Sequence, residues 1–304
     1  MDRNPRDQWN RMLNVRISKK AGDLSRLVHV SAMSRRTGLT HLPVLAAEGQ
    51  MGVTFIGHAS FFLQIGGLNI VIDPIFARWL FVLKRLRRPG LRIADLPAID
   101  AVLVTHAHFD HLHRASLRAI ARAARNKSGQ APLLIVPDNV SDLVFDLGFK
   151  NVVELAWWEE LQLGKTRITA TPAKHWGARV IHDMHRGYGG YVLRSGEHSI
   201  YHSGDTAYFD GFAEIGRRLD PDVALLPIGA YHPESFRAVH ASPEDALRGF
   251  VEMGARHMIP MHYGTFKLSQ EPVDEPVQRL LADARRLKID ERVHVLEEGV
   301  AEFF

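Results

Sequence analysis

The stretch AVLVTHAHFDHLH, residues 101–113, places four histidines and one aspartate within eight positions, directly behind a short apolar run. AVLVT reads as a buried strand. RASLRAIARAARN, which follows, reads as a helix with an Ala/Leu/Ile stripe at i, i+3, i+4 spacing. Between them, His106 and His108 lie two apart on extended chain leaving the strand, so their side chains point the same way and can grip one ion. Asp110 and His111 fall where the chain turns toward the helix and face a slightly different point. That arrangement suits two neighbouring metals better than one, and it differs from H-E-x-x-H, whose ligands share one helical face. His113 has no place in this ligand set and reads as a surface histidine or one standing behind the ligands.

Upstream, GVTFIG, SFFLQIG and LNIVIDP are β-branched and aromatic runs punctuated by Gly, Asn and Pro, and they read as a three-stranded meander. Downstream, PLLIVP reads as a strand and NVSDLVFDLG as a helix stopped by Gly148. Strands over TRITATPA, GGYVLRSG and HSIYHSGD follow, then a helix over FAEIGRRL and a strand over VALLPIG. SPEDAL opens another helix, with Ser242 at the N-cap, Pro243 at N1 and Asp245 three residues on. HMIPM as a strand, a helix over about 276–288 and a last strand over RVHVLEEG complete the chain. The order predicts one α/β domain of two mixed sheets with helices packed outside. A two-metal site needs further ligands at strand ends, and His175, Asp205 and His262 each stand at or just past such an end.

Of the 304 residues, 46% are apolar and 24% charged, as in ordinary globular proteins, and no run approaches a membrane span. Absence of cysteine excludes disulfides and thiolate metal sites. The polar, basic N-terminus carries no apolar leader segment, so a cytoplasmic protein is expected. Positive charge is local. Residues 1–41 carry a net +6 and residues 78–92 another +6, against +4 for the whole chain, so an anionic partner at these two places is expected.

The blocks THAHFDH, PAKHW, SGDTAYF and MHYGTF, in this order, resemble the metallo-β-lactamase superfamily. GHAS (57–60), DPIF (73–76), KHWGAR (174–179), PIGAY (227–231), HASPEDAL (240–247) and HYGTF (262–266) sharpen the resemblance toward the branch that includes the N-acylphosphatidylethanolamine-hydrolysing phospholipase D enzymes. The resemblance spans about residues 50–270. It implies a four-layer αββα sandwich over residues 46–304, with residues 1–45 as a basic N-terminal arm, extended or partly helical. It implies two divalent ions, zinc by preference with manganese or iron as alternatives. One would be held by His106, His108 and His175, the other by Asp110, His111 and His262, with Asp205 bridging. Such a pair lowers the pKa of a shared water toward ~7.

The activity implied is a phosphodiesterase of phospholipase D type acting on a phospholipid. Asp110 and His240 are its catalytic candidates, and His240 matches a family histidine near the substrate phosphate. Asp73 is expected to hydrogen-bond a ligand histidine and fix its tautomer. His58, Trp176 and Tyr231 are candidates for substrate contact or pocket lining. His182, His185, His198 and His202 read as ordinary loop or strand histidines. In WLFVLKRLRRPG, the short apolar run beside a basic cluster makes Trp79, Phe81, Lys84, Arg85, Arg87 and Arg88 candidates to face an anionic membrane surface, against a core helix with a solvated basic end. A metal-dependent lactonase with the same ligands is the main alternative. A nucleic-acid enzyme is disfavoured by bulky aliphatics beside the basic residues, and a non-catalytic metal-binding scaffold is a further alternative. A homo-oligomer stays open.

Overall fold

The computed structural model of the chain describes residues 20–180 and 183–304. Helix α1 (Lys20–Met33) leads into the meander of β1 (Gly52–Gly57), β2 (Ser60–Ile65) and β3 (Leu68–Ile72), whose antiparallel registers follow from tight turns at His58 and Gly66–Gly67. A small hairpin, β4 (Trp79–Leu80) and β5 (Leu83–Lys84), comes next, then β6 (Ala101–Leu103), α2 (Arg114–Ser128), β7 (Leu133–Pro137) and β8 (Val152–Leu155). The second half runs β9 (Glu160–Leu163), β10 (Thr166–Thr171), β11 (Gly190–Ser195), β12 (His198–His202), α3 (Gly211–Leu219), β13 (Val223–Pro227), α4 (Pro243–Met253), β14 (His257–Met261), α5 (Glu275–Arg286) and β15 (Ala301–Phe303).

One mixed sheet has the order β15-β1-β2-β3-β6-β7-β8 and the other β14-β13-β12-β11-β10-β9. The period of two along each strand divides the first sheet's apolar residues. Phe55, Phe61, Ile72 and Leu103 share one core with Ile168, Tyr191, Leu193 and Tyr201 of the second sheet. Ile56, Phe62, Val71 and Val102 go to the other face and meet Leu117, Ile120 and Ala121 of α2. Phe61 and Phe62, neighbours in sequence and both 0% exposed, thus anchor different layers, at roughly 2 kcal/mol of burial each. On the second sheet, α4 packs on β13 and against both α3 and α5. The result is the expected helix–sheet–sheet–helix sandwich. The α4 N-terminus is the capping box read from SPEDAL: Asp245 N–H donates to Ser242 Oγ and Ser242 N–H to the Asp245 carboxylate.

Three local expectations are corrected. NVSDLVFDLG is not an α-helix. Its apolar spacing is served by successive i→i+3 turns, Leu143 N to Val140 O and Val144 N to Ser141 O, with Ser141–Leu143 as a 3₁₀ turn. Glu154 caps this turn by accepting from Val140 N and Ser141 N, and Arg186 forks onto Asp142, so the segment is held from outside. RVHVLEEG is not a strand either. Val293 makes one bridge to Met258 on the edge strand of the second sheet, and the chain then crosses to pair Ala301–Phe303 with β1 at the edge of the first. Finally, residues 79–84 form a hairpin instead of a core helix. Of the arm, residues 1–19 lie outside the described residues, and α1 packs on β5.

His202 ends β12 in the space between the sheets, with its ring edge on Phe61. Its Nε2 donates to Ala59 O (2.9 Å) and its Nδ1 accepts from Gly204 N (3.1 Å), a pattern only the neutral ring can make. Burial lowers its pKa from 6.5. The unfolded chain therefore binds this proton more readily than the folded one. Stability is fully present above pH 6.5 and is lost as pH falls below it, by at most about 1.4 kcal/mol per pH unit. The thermal midpoint of the His202→Gln variant should change less between pH 7.5 and 5.5 than that of the parent. Equal slopes would contradict the assignment.

Candidate metal centre

The candidate ligands lie in loops that follow strands on the same edge of the sandwich. His106 and His108 follow β6, His175 follows β10, Asp205 follows β12 and His262 follows β14. The β1–β2 turn brings His58, and the end of β3 brings Asp73. His58, Asp73 and His262 all have left-handed backbone, with φ of 65°, 44° and 62°. For non-glycine residues this costs of order 1 kcal/mol or more each, and it is over-determined here. His262 N–H donates to His58 O (2.7 Å) and His58 N–H to Thr265 Oγ1 (2.7 Å).

The donors converge as two groups, with a third, Asp205, His240 and His262, overlapping them. His106 Nε2 lies 2.8 Å and His175 Nε2 lies 3.2 Å from His108 Nδ1, close to the ~3.3 Å between nitrogens around one tetrahedral zinc. His58, Asp110, His111 and His262 form the second group. Asp205 Oδ2 stands between them, 3.1 Å from His262 Nε2, 3.3 Å from His111 Nε2, 3.9 Å from His175 Nε2 and 4.0 Å from His106 Nε2.

The ring tautomers are set from behind. Thr105 Oγ1 donates to Asp73 Oδ2 (2.6 Å), so it can only accept from His106 Nδ1 (3.0 Å). His111 Nδ1 donates to Asp73 Oδ2 (2.7 Å) and His175 Nδ1 to Val239 O (2.9 Å). All three rings thereby turn a bare Nε2 into the site. The buried atoms His111 Nε2, His262 Nε2, Asp205 Oδ1 and His240 Nδ1 have no hydrogen-bond partner, so this donor set fits a cation and is not satisfied by itself.

Burial lowers His108 to about 4, with the carboxylates of Asp110 and Asp205 opposing, and lowers His58 and His240 to about 4, so these rings stay neutral donors. His106 and His175 are also pushed well down by burial and neighbouring rings. At His262 burial is outweighed by Asp205 and Asp110, which lift it to about 9, and at His111 it is outweighed by Asp205, Asp73 and Asp110, which raise it. The two carboxylates draw positive charge to the nitrogens nearest Asp205, which is where a cation belongs.

The mouth is at Asp110, 16% exposed at its side chain, and His240, 12% exposed. His240 Nδ1 lies 3.9 Å from Asp205 Oδ2, and His58 Nε2 lies 3.0 Å from Asp110 Oδ2. Trp176 packs on the rings of His175 and His108, at 4.2 and 4.6 Å. Tyr231 is differently placed: its hydroxyl donates to Glu275 Oε1 (2.7 Å) and Arg279 covers its ring, so it braces α5 in place of lining the donor cluster. His113 is the N-cap of α2, accepting from Ser116 N. Among the remaining histidines, His198 donates to Gly49 O, and His182 lies outside the described residues.

Two positioning residues escaped the sequence reading. Arg179 donates to Ala107 O (2.7 Å) and Leu112 O (2.9 Å) and lies 3.9 Å over the Phe109 ring, clamping both ends of the loop that carries His108, Asp110 and His111. Its signal was the last residue of KHWGAR. Arg85, expected at a membrane face, is instead 0% exposed and bonded to three carbonyls. Lys84 binds the carbonyls of Ala32 and Ser34 at the end of α1, and Arg87 pairs with Glu298 and Asp274, so these two are committed as well. Trp79, Phe81 and Arg88 are exposed.

Asp73 accepts from Thr105 N, Thr105 Oγ1 and His111 Nδ1 at 0% exposure. Asparagine would turn one acceptor into a donor facing a donor. Metal affinity in Asp73→Asn is expected to fall about 10–100-fold in a chelator competition. Unchanged affinity would contradict the role given to it.

A sequence profile described as beta-lactamase superfamily domain matches residues 68–263. An N-acyl-phosphatidylethanolamine-hydrolyzing phospholipase D of Saccharomyces cerevisiae is 32% identical over 87% of this chain and 59% of its own length. A metal-dependent hydrolase of Rubrobacter xylanophilus is 33% identical over 83% of this chain and 96% of its own. Uncharacterised mycobacterial proteins, 32% identical, are matched over 64% of their length, so the chain spans less than two thirds of these and of the yeast protein. Among solved structures, a possible metal-dependent hydrolase of Veillonella parvula superposes with a TM-score of 0.68 at 19% identity, covering 84% of this chain and 99% of that one.

Proposed function

Because the chain belongs to the metallo-β-lactamase superfamily and is a metal-dependent hydrolase, we propose that it holds two divalent ions and cleaves a phosphodiester bond of a phospholipid. His106, His108 and His175 hold one ion, Asp110, His111 and His262 the other, and Asp205 reaches both. The observation that carries the two-ion reading is the position of Asp205 Oδ2, within 4.0 Å of imidazole nitrogens from both groups. Zinc suits the nitrogen and carboxylate donors, as do manganese and iron. When bound, such a pair supplies Lewis acidity and an ionised water at neutral pH.

The chain's own residues do the rest. Asp73, Thr105 and Val239 O lock the ligand rings from behind, so little reorganisation accompanies charge development. His240, neutral and aimed at the same space, donates a hydrogen bond to a phosphoryl oxygen. His58 bonds Asp110 and keeps that carboxylate turned inward. Trp176 shields His108 and His175 from water. The lipid level of the reading is supported by the relatives from yeast and Caenorhabditis elegans named as N-acyl-phosphatidylethanolamine-hydrolyzing phospholipases D, each 32% identical.

The test is a substrate panel with protein loaded with zinc, manganese or iron: bis-p-nitrophenyl phosphate, a simple lactone, and vesicles containing N-acylphosphatidylethanolamine. Diester and vesicle turnover that liberates phosphatidic acid is expected. Lactone turnover alone would overturn the phosphodiester reading and leave a lactonase.

A further inference from the structure

The β4–β5 hairpin carries an apolar tip that nothing among the described residues covers. Phe81 is 70% exposed, Val82 52% and Trp79 44%. Beside it runs the segment that follows α1, tied on by Thr37 N to Leu86 O, Arg88 N to Thr37 O and His41 N to Gly90 O. The last residue of α1, Met33 (75%), and Leu39 (63%) and Leu42 (67%) of that segment are exposed. Two stretches distant in sequence therefore contribute exposed apolar side chains to one region of the molecule. Scattered exposed aliphatics are ordinary, but a grouped set of this size marks a contact surface.

Charge tells what the contact is. From Leu24 to Ala47 and from Pro74 to Ala94 there is no aspartate or glutamate. Arg35, Arg78 and Arg88 are exposed there, and among the described residues none of the three takes part in an ion pair. Large apolar side chains at a tip with arginines around it are the composition of an interfacial anchor, not of a spanning segment. No helix of the described residues is long and apolar enough to cross a membrane. A second copy of the chain fits poorly. A two-fold contact would lay these two segments on themselves, arginine against arginine, with no aspartate or glutamate of their own to compensate.

The tip is also next to the metal centre. Phe81 packs edge-on against Phe109, with ring centroids 4.5 Å apart, and Phe109 lies between His108 and Asp110 in the ligand loop. Whatever the hairpin lands on lies alongside the mouth.

We propose that the β4–β5 hairpin and the segment following α1 form a docking surface for an anionic lipid bilayer, with Phe81, Val82 and Trp79 entering the interface and Arg78 and Arg88 on the headgroups. The surface does not depend on which ester the metal centre hydrolyses.

The test is sedimentation of the metal-loaded protein with vesicles of phosphatidylcholine containing phosphatidylglycerol, and with phosphatidylcholine alone. The parent is expected to pellet at least about tenfold more readily with the anionic vesicles, and Phe81→Ser/Val82→Ser to lose about tenfold or more in that partitioning. Arg78→Glu/Arg88→Glu should lose a similar amount, roughly fivefold per arginine before reversal of sign is counted. Phe145→Ser, which alters an apolar residue 76% exposed outside these two segments, should leave partitioning unchanged. No pelleting of the parent, or equal pelleting of the tip variant, overturns the proposal. A concentration-dependent dimer abolished by the tip variant, without vesicle binding, also overturns it and assigns the face to a second copy. Since pelleting needs no turnover, the result is read whether or not the phosphodiester reading holds.

Discussion

Alanine at position 205 is expected to reduce hydrolysis by about a thousand-fold, equivalent to roughly 4 kcal/mol of transition-state stabilisation. Asp205 Oδ2 lies within 4.0 Å of a ring nitrogen of His106, His111, His175 and His262 alike. On the two-ion proposal its removal leaves both ion positions a ligand short, and it takes away a carboxylate that, against burial, raises the pKa of His111 and His262. Asp110 cannot replace it, because on the same proposal that carboxylate is already committed to the second ion, and it is bonded to His58. The measurement is kcat/KM for bis-p-nitrophenyl phosphate alongside metal content after dialysis. Activity within tenfold of the parent would contradict the bridging position.

Arg85→Met is expected to cost about 3 kcal/mol of stability and to lower the thermal midpoint by roughly 5–10 °C. The guanidinium donates to Ile75 O (2.7 Å), Arg87 O (2.8 Å) and Ile56 O (3.2 Å). Ile56 O keeps a second donor in Gly90 N, so methionine strands the buried Ile75 carbonyl and the part-buried Arg87 carbonyl, at about 1–3 kcal/mol for a buried group. Burial lowers the arginine to about 9, and relief of that desolvation offsets part of the loss. Because Ile56 precedes the turn to His58 and Ile75 follows Asp73, metal affinity should fall with stability. Gly57→Ala makes an independent check. A Cβ there would lie 2.5 Å from Arg85 Nη2, at a φ of +119° that alanine resists, and the same two losses are expected. A midpoint within 2 °C of the parent for Arg85→Met would contradict this account.

How far the residues alone carried the reading follows from their physics. The meander was legible because β-branched and aromatic runs alternate between turn residues, as in GVTFIG and SFFLQIG. The ligand loop was legible because imidazoles two apart behind a buried strand have few other uses. β8 and β9 went unread: VVEL and ELQL mix glutamate and glutamine with aliphatics, and their pairing comes from β7 and β10 beside them. The two-residue strands of the hairpin are too short for any period to show. Arg85 and Arg179 could not be told from surface arginines, since what defines them is carbonyls brought from far along the chain. The 3₁₀ turn at 141–143 misled for the opposite reason. Its buried Val140, Val144 and Leu147 keep a helical spacing while the hydrogen bonds tighten by one residue.

The central claim is a two-ion centre built on Asp205, and counting ions tests it most directly. Purified protein is saturated with zinc, dialysed against metal-free buffer and assayed for bound zinc per chain by elemental analysis. Two ions per chain in the parent, falling to one or none in Asp205→Ala, is the predicted result. A parent that retains a single ion, or an Asp205→Ala variant that retains two, would contradict it.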